Sequence, residues 1–544
     1  MKSHTHTTTR GHCRLLLLFL MLCSGGALLK GGQFHVRPGG LPSGDGSPGS
    51  PWDLQTALNN PPAVQPGDTI WLHGGTYRGT FESNLRGTAL APILVRSYPG
   101  EWAVFDNGGS NDTAFWLKGS HTWFWGLEVS NTGPTPTRNE GGVNFASSDG
   151  NKLINAIIHD AGSSGINPYS SASNAEIYGC LVYYNGRFED SSHLNGYGVY
   201  GQNEAPSRKS IVDNFFFNMF GLYPAHMAGS STAKIDNIRF TGNTFFGHTL
   251  YDDKNVVAIH GNFEPGAGKN LNPEWTSNYF YRTDLWLGYN GDGADSATVT
   301  DNQFLHGAYL AHPANTYLTL AGNIFSDSVD QVFVRPNAYA DEHDPRRANI
   351  VVFNSRRDTS IVVTLPPGVL SVGDRYQLRD VQDYYGPPVA AGIHGGGPVV
   401  FPMPGSNDPI TAPVSIPVNR PGNSPPRHTD LEFGAFILLA NLENVAWPLG
   451  VDDRSLPGEY SLGQNYPNPC NPTTTIEFTL PVKSGVFLAV YNILGQHVAT
   501  LADGGVDAGR HAVRFDGRNL ASGLYFYRLN AGMFSFTRKL MLIH

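Results

Sequence analysis

Acid–base side chains are concentrated in one stretch of this sequence, between Cys180 and Asn214, and in the segment that follows it. Histidine, tyrosine and carboxyl groups are the side chains that most often transfer protons in enzymes, and long loops often carry function. We therefore predict an active groove between residues 185 and 265. The catalytic candidates are Glu189, Asp190, His193, Tyr200 and His226.

Two reactions fit these residue types. β-Elimination of a uronic acid needs a base for the C5 proton, such as His or Tyr, and a group that neutralises the sugar carboxylate, such as Arg, Lys or a metal. Hydrolysis with inversion needs two carboxyl groups about 6.5 to 9.5 Å apart. The available carboxylates are Glu189, Asp190, Asp252, Asp253 and Glu264, and no spacing among them marks a pair. Lyase and hydrolase chemistry therefore both stay open.

The requirement for a metal or cofactor is also open. No arrangement in the sequence has the spacing of a transition-metal site, and Ca²⁺ on loop aspartates is one alternative because Ca²⁺ prefers oxygen ligands. Cys180 and Cys470 lie in different modules, so no disulfide framework is predicted.

The candidate residues lie within an internal repeat. Five segments share the frame apolar-x-x-Asn-x-Phe, and three earlier segments keep its apolar positions. The eight slots equivalent to the asparagine are Leu127, Ala156, Cys180, Asn214, Asn243, Asn278, Asn302 and Asn323. Their spacing suits one turn of a parallel β-solenoid with loops of variable length. We expect the coils to stack Asn on Asn and Phe on Phe, with Asn at the bend because it tolerates left-handed conformations.

The outward side chains of one strand per coil would form a binding surface. Aligning these strands by their apolar start places six residues in one column: Asn167, Tyr200, Tyr223, Val257, Trp286 and Tyr309. Aromatic rings at multiples of about 4.8 Å would stack against sugar rings. We predict substrate contacts for Arg187, Tyr223, His260, Trp286 and Tyr309. The alternative is that loops or the third module cover these rings.

The start of the repeat region supports a specific fold. SPWDLQTALNN predicts a short helix, with Ser50 as N-cap and Pro51 in the first turn, over the apolar end of the stack. The following VQPGDTIWLHGGTYRG and the asparagine ladder resemble the right-handed parallel β-helix proteins, the pectate-lyase-like group of secreted polysaccharide-active proteins. The resemblance covers residues 34–345. It implies a fold more than a reaction, because the fold hosts lyases, hydrolases, epimerases and non-catalytic adhesins.

Residues 349–445 alternate like the strands of a small accessory β-domain. They resemble the domain that often follows the catalytic part of secreted glycan-processing enzymes. Two roles are open, namely sugar binding and a scaffold that caps the C-terminal end of the solenoid. The predicted fold class is all-β: a right-handed parallel β-helix, then this small β-domain, then a C-terminal Ig-like β-sandwich. The 64 glycines and 38 prolines agree, because both residues disfavour helices.

The net charge of the chain and its first 30 residues indicate its partners and its location. A net charge of −9 offers no basic stripe for nucleic acid, so no nucleic-acid partner is predicted. Residues 1–30 begin with Lys2, Arg10 and Arg14, followed by an apolar run over 15–22 and then small residues, which is typical of a signal peptide. The run is shorter than the roughly 20 residues of a membrane span, so no span is expected in the mature protein.

Residues 459–544 contain the blocks SLGQNYPNPCNPTTTIEFTLP, VYNILGQHVATL and LASGLYFYRLNAGMFSFTRKLMLIH in order. They resemble the C-terminal sorting domain of the type IX secretion system of the Bacteroidetes and related phyla. The resemblance implies that the type IX secretion machinery is a partner and that the protein passes through the periplasm and outer membrane. It implies a secreted or cell-surface location. An ordinary carbohydrate-binding sandwich is the alternative.

Together these features predict a secreted carbohydrate-active enzyme that cleaves a polysaccharide by elimination or hydrolysis. The rival from a different class is a non-catalytic surface protein or adhesin that binds glycan through its aromatic column.

We predict that deleting residues 459–544 leaves activity unchanged and retains the protein in the periplasm, because the tail is a separate unit that serves export. Cell fractionation with an activity assay on each fraction measures this. Normal delivery of the shortened protein to the surface would contradict the assignment.

Overall fold

The structure is a computed structural model that describes residues 31–110, 112–131, 141–188, 194–220, 223–229, 233–247, 256–262, 268–288, 292–339, 346–411, 413, 427–440, 461–465, 468–480, 484–506, 509–531 and 534–543. The predicted signal peptide, residues 1–30, lies outside these ranges. Nearly all regular elements in the described part are β-strands, and its one α-helix spans Leu54–Leu58. The predicted all-β class is confirmed.

Three parallel sheets run along the solenoid, and each coil contributes one strand to each in turn. Within the described residues, sheet 1 has eleven strands: Gln33–Val36, Thr69–Leu72, Ile93–Ser97, Thr122–Trp125, Lys152–Ile154, Glu176–Tyr178, Lys209–Val212, Ile238–Thr241, Glu274–Thr276, Thr298–Thr300 and Thr319–Ala321. Sheet 2 has ten there: Gly75–Arg78, Ala103–Asp106, Glu128–Ser130, Ile157–His159, Leu181–Tyr183, Phe215–Phe217, Thr244–Phe246, Tyr279–Tyr281, Gln303–Leu305 and Ile324–Ser326.

Sheet 3 completes each coil. Its strands in the described part are Phe81–Ser83, Phe115–Ser120, Val143–Asp149, Ile166–Pro168, Ala172–Ser173, Tyr197–Gly201, Tyr223–Gly229, Val256–Asn262, Thr283–Leu287 and Tyr309–Ala311. Two short pairs lie outside the three sheets: Arg187–Phe188 with Leu194–Asn195, and Asn270–Leu271 with Ala294–Asp295. The parallel pairing from coil to coil is the β-helix that the repeat predicted.

The corner between sheets 1 and 2 is held by the predicted asparagine ladder. Oδ1 of Asn243 accepts hydrogen bonds from the backbone N–H and from Nδ2 of Asn214, at 3.0 and 2.9 Å. Nδ2 of Asn243 donates to the carbonyl of Ile211 at 2.8 Å and to Oδ1 of Asn278 at 3.1 Å. The pattern continues through Asn302 to Asn323. These amides therefore lie in the apolar interior with their hydrogen-bonding capacity filled.

At this corner the residue with a left-handed backbone conformation is the one that precedes the asparagine in the chain. This corrects the expectation that the asparagine itself adopts that conformation. The residues with φ between 52° and 70° at this position are Gly126, Asn155, Gly179, Asp213, Gly242, Ser277, Asp301 and Gly322. The left-handed residue turns the chain, and the asparagine that follows uses its side chain to tie the turn to the next coil. Glycine is favoured at several of these positions because it has no Cβ to strain.

The phenylalanine stack is confirmed. Phe245 and Phe280 have ring centroids 5.1 Å apart, and Phe280 and Phe304 have centroids 4.4 Å apart with rings 5° from parallel. Phe216 and Phe325 extend the stack at its two ends. Cys180 occupies a ladder slot as predicted: it is buried, and its N–H donates to Oδ1 of Asn214.

The two ends of the solenoid differ. The helix packs Leu54, Ala57 and Leu58 into the main core at the N-terminal end. Its N-cap is Asp53, which accepts from the Thr56 N–H, so the predicted cap at Ser50 is three residues too early. At the other end Phe325 is 51% exposed, so the last coil is open.

The accessory domain packs against the side of the solenoid rather than on this open end. Its five-stranded sheet contains Asp330–Pro336, Arg346–Asn354, Phe433–Ala440, Arg375–Asp380 and Ala390–Ile393, and Ser360–Val363 pairs with Val399–Pro402. One apolar cluster joins this sheet to outward residues of sheet 2, where Tyr183, Phe217 and Phe246 stack at 5.0 Å intervals. The capping role is therefore wrong, because the domain covers a lateral face.

A buried histidine lies in this lateral contact. Nδ1 of His159 is 2.7 Å from Oδ2 of Asp160, and Nε2 is 3.0 Å from Oε1 of Glu128. Oε2 of Glu128 accepts from the hydroxyl of Tyr385, in the accessory domain, at 2.7 Å and from Trp102 at 2.8 Å. Burial alone lowers the pKa of His159, but its two carboxylate partners outweigh burial and raise it to about 9.

The C-terminal region forms two antiparallel sheets around their own core. One contains Ser461–Leu462, Thr473–Leu480 and Gly509–Asp516, and the other contains Ser484–Asn492, His497–Val506, Gly523–Ala531 and Phe534–Leu542. This agrees with the predicted sandwich.

We expect Phe280→Ala to lower the free energy of unfolding by about 3 to 5 kcal/mol, because it leaves a cavity in the middle of the aromatic stack. Phe325→Ala is the matched control, since the same slot in the last coil is half exposed, and it should cost less than half as much. Urea unfolding followed by tryptophan fluorescence measures both. Equal losses would contradict the proposed importance of the buried stack.

We also expect a pH-dependent contribution from His159. A histidine whose pKa is about 9 in the folded protein and near 6.5 when unfolded stabilises the fold fully below about pH 6.5 and loses this effect as the pH rises through about 9. Across that window the unfolding free energy of the protein, relative to a His159→Gln variant, should fall by about 1.4 kcal/mol per pH unit. A difference that does not change with pH would refute the charged state.

Candidate functional site

The candidate groove is the outer face of sheet 3. In Tyr197–Gly201 and Tyr223–Gly229 the core takes Val199, Ala225 and Met227, which are fully buried. Side chains alternate between the two faces of a strand, so Tyr200 and His226 point outward. The two strands pair Tyr200 directly with His226, which places a phenol and an imidazole side by side on adjacent coils.

Three tyrosines surround His226, and we call Tyr197, Tyr200 and Tyr223 the tyrosine cage. Their ring centroids lie 4.4, 5.6 and 5.2 Å from that of His226, each ring edge-on to it. Tyr197 stacks on Tyr200 at 5.4 Å and on Tyr223 at 6.0 Å. His226 is 4% exposed, whereas the cage tyrosines are half-buried. The phenols are therefore the groups that an external ligand meets first.

Burial sets the protonation states of the site. It lowers the pKa of His226 to about 3 and raises the pKa of Tyr197 to about 12. Burial also raises the pKa of Tyr200, whose hydroxyl accepts a hydrogen bond from Nε2 of Gln202 at 2.9 Å. At neutral pH the imidazole is therefore uncharged and the phenols are protonated. His226 therefore does not titrate near neutral pH, as a free imidazole would.

The outward column continues in both directions along sheet 3. Toward the C-terminus, His226 pairs with Ile259 and Ile259 pairs with Trp286, whose ring is half-buried. Toward the N-terminus, Nδ2 of Asn167 donates to Oδ1 of Asn144 at 2.6 Å. We call the tyrosine cage together with Trp286, two coils further on, the aromatic surface; the buried, aliphatic Ile259 lies between its two parts.

Several predicted catalytic residues lie outside the described residues. They are Glu189, Asp190 and His193, and the further carboxylates Asp252, Asp253 and Glu264. The predicted catalytic residues that are described, Tyr200 and His226, come together. Of the predicted substrate contacts, Tyr223 lies against His226 and Trp286 follows two coils further on.

Three predicted substrate contacts are corrected. His260 is fully buried between Met227 and Leu287 and bonds to interior groups, the Ile235 carbonyl and Trp275 Nε1. Tyr309 pairs with Leu285 and packs against the core. Tyr309 points inward because Leu310, the next residue, pairs with Trp286, and a shift of one residue exchanges the faces of a strand. His260 points inward because its neighbour Ile259 takes the place in the column.

Arg187 is the third correction. It is buried, and its Nη1 donates to the carbonyl of Gly162 at 2.7 Å, which ties it to the preceding coil instead of the groove. Tyr223 is also displaced from the predicted column, since it pairs with Tyr197 while His226 takes the place beside Tyr200.

Sequence reasoning missed two residues near the groove. Tyr197 gave a signal, because it stands between glycines in NGYGVYG; a Cβ on Gly198 would lie 2.4 Å from the Pro224 carbonyl, so adjacent coils approach closely there. Lys209 gave none. Its Nζ donates to the carbonyls of Pro168 and Tyr169, at 3.2 and 2.5 Å, and of Gln202. Burial lowers the pKa of Lys209 to about 7.

A second site lies where the solenoid meets the accessory domain. It is a cleft of about 210 Å³ lined by Gly247, Tyr281, Arg282, Ser406, Arg427, His428, Thr429 and Asp430. Sequence reasoning could not find this cleft, because its two walls come from segments far apart in the chain. Neither wall carries a recognisable motif.

The described residues contain no group of three or more His, Cys, Asp or Glu side chains arranged to hold a metal ion. In the same part of the chain, no helix is long and apolar enough to cross a membrane.

Two known families match this chain, one in the solenoid and one in the C-terminal region. Residues 34–205 match the family described as Pel9A-like, right handed beta helix region, and residues 464–543 match the secretion system C-terminal sorting domain. No curated protein sequence matches the chain.

Solved structures with a similar chain path include the pectate lyase Pel9A, at 18% identity over 54% of this chain and 79% of that one, with a TM-score of 0.36. An alginate lyase from a Paenibacillus species is 17% identical over 49% of this chain and 94% of its own, with a TM-score of 0.29. A mannuronic acid specific lyase from human gut microbiota is 16% identical over 57% of this chain and 69% of its own, with a TM-score of 0.39.

The sorting domain indicates type IX secretion to the cell surface or outside the cell. Together with the parallel sheets, the match over residues 34–205 identifies a Pel9A-like right-handed β-helix region in a chain that carries a C-terminal type IX sorting domain.

Proposed function

We propose that this chain is a secreted polysaccharide lyase that acts at the tyrosine cage. The observation that carries the proposal is the pairing of Tyr200 with His226 on adjacent strands of an outward face. Burial raises the pKa of Tyr200, so its phenolate is a strong base once formed, and His226 packs edge-on against that ring. The substrate class is a polysaccharide that contains uronic acid, since elimination needs an acidic C5 proton.

The proposed reaction moves one proton and one electron pair. Tyr200 contacts the sugar, and its phenolate takes the proton from C5. The C5–H electrons form the C4=C5 double bond, and the C4–O4 bond breaks. The proton now on Tyr200 then protonates O4, which regenerates the phenolate. His226 acts through Tyr200, because it is 4% exposed and lies behind the cage.

Elimination is favoured because its base can be a phenol, and the groove carries three tyrosines. Inverting hydrolysis instead uses a carboxyl pair about 6.5 to 9.5 Å apart. The aromatic surface would hold the sugar rings by stacking.

The second candidate function is glycan binding without cleavage. It is favoured by the burial of His226, which keeps the imidazole out of direct reach of a ligand. In that case the cage and Trp286 would serve only as a stacking surface.

We expect Tyr200→Phe to lower turnover by about 10² to 10⁴-fold on a susceptible acidic polysaccharide, because it removes one hydroxyl that transfers the proton. His226→Gln should also lower turnover, since it removes the ring that packs edge-on against Tyr200 and positions it. Formation of unsaturated uronate, read by its ultraviolet absorbance, is the measurement. Tyr317→Phe, which loses the same hydroxyl at an 82% exposed position in the last coil, is the matched control.

A panel of acidic and neutral polysaccharides separates the alternatives. Unsaturated product that depends on Tyr200 supports the lyase. New reducing ends without unsaturation would indicate a hydrolase, and binding without either product would indicate a glycan-binding protein.

A further inference from the structure

The cleft between the solenoid and the accessory domain brings cationic side chains from both modules together. Arg282 comes from the solenoid, at the corner between sheets 2 and 3, where its φ is 48°. Arg427 and His428 come from the segment that leads into the accessory strand Phe433–Ala440. Two guanidinium groups facing one concave space are a typical arrangement for binding a carboxylate.

The carboxylates around the cleft already have partners. Oδ2 of Asp430 is 3.2 Å from a guanidinium nitrogen of Arg357. Glu432 accepts from the hydroxyl of Tyr281 at 3.1 Å, and its other oxygen lies 2.8 Å from Nε2 of His306. Arg282 lies 3.7 Å from Glu432, a long contact for a 42% exposed side chain. These carboxylates therefore offset little of the positive charge that Arg282 and Arg427 bring.

The other two basic residues of the cleft differ. Nε2 of His428 is 2.7 Å from Oδ2 of Asp380, which outweighs burial, raises the pKa of His428 and balances its charge. Arg427 is exposed and makes no ion pair within the part of the chain that the structure describes. It therefore lines the cleft as a cation open to an external ligand.

The cleft also adjoins the aromatic groove. Arg282 alone separates the sheet 2 strand Tyr279–Tyr281 from the sheet 3 strand Thr283–Leu287. Trp286, at the far end of the aromatic surface, follows four residues later on the same coil. An extended saccharide on that surface would reach the cleft with a neighbouring sugar unit, because four residues span at most about 14 Å.

We propose that this cleft binds the carboxylate of a uronic acid unit, with Arg282 and Arg427 as its ligands, and so selects an acidic saccharide. The proposal deepens the proposed function and rests on it for the course of the saccharide along the groove. Arginine suits the task because its planar fork pairs with both oxygens of a carboxylate.

The test is calorimetric titration of the whole protein with tri-galacturonic acid and with its methyl ester, which keeps the shape and removes the charge. The acid should bind at least about tenfold more tightly than the ester, because hydrogen bonds between two charged groups are the stronger kind. Arg282→Gln and Arg427→Gln should each remove most of that preference. Arg239→Gln, an exposed arginine on the outer face of sheet 1, is the matched control and should retain it.

Equal affinity for acid and ester, or a preference that survives both substitutions, would overturn the proposal. Inorganic sulfate that competes as well as the acid would also overturn it, because the cleft would then be a simple anion site. Thermal melting of each variant checks that it is folded. The affinity of Arg427→Gln is the decisive measurement, because this side chain is exposed and its replacement should leave the fold intact.

Tyr200→Phe distinguishes this proposal from the proposed function. If Tyr200→Phe leaves turnover unchanged and Arg427→Gln still removes the acid preference, the lyase mechanism is refuted and the carboxylate site in the cleft is supported. If Tyr200→Phe abolishes turnover and Arg427→Gln leaves the preference intact, the lyase mechanism is supported and the carboxylate site is refuted.

Discussion

The later coils of the solenoid depend on one requirement: the asparagine amide at the corner between sheets 1 and 2, in the five coils from Asn214 to Asn323, must have its hydrogen bonds completed inside an apolar stack. Asn243 meets it through bonds to Asn214 on one side and Asn278 on the other, so no coil satisfies its own corner alone. An unpaired buried amide would cost more than a paired one contributes, which makes the ladder cooperative. These corners fix how each coil is aligned with the next, and they thereby fix the register of the strands that form the outer faces, including the groove.

The repeat could be predicted from the sequence because one residue type recurs at one slot per coil, as Asn278 and Phe280 do. The groove could be predicted only in part. Tyr200 and His226 fall in a stretch rich in polar groups, but His260 and Tyr309 needed a register exact to one residue. The cleft could not be predicted, since Arg282 and Arg427 meet only after the accessory domain has docked.

The lateral position of the accessory domain links fold and function. It buries the outer face of sheet 2 and leaves the outer face of sheet 3 free for the tyrosine cage. Its contact with the solenoid contains a charged histidine, His159, and the same contact surface ends in the cleft. A domain that first suggests a passive scaffold thus forms one wall of a polar site next to the groove.

The open last coil, with Phe325 half exposed, bears on how such a protein changes in evolution. Each coil contacts only its neighbours, so a duplicated segment that carries its left-handed residue and its asparagine adds a complete layer without disturbing the earlier ones. Growth and shrinkage at this end therefore proceed in whole layers of about 4.8 Å. Groove length, and with it the number of sugar units contacted, would change in the same discrete steps.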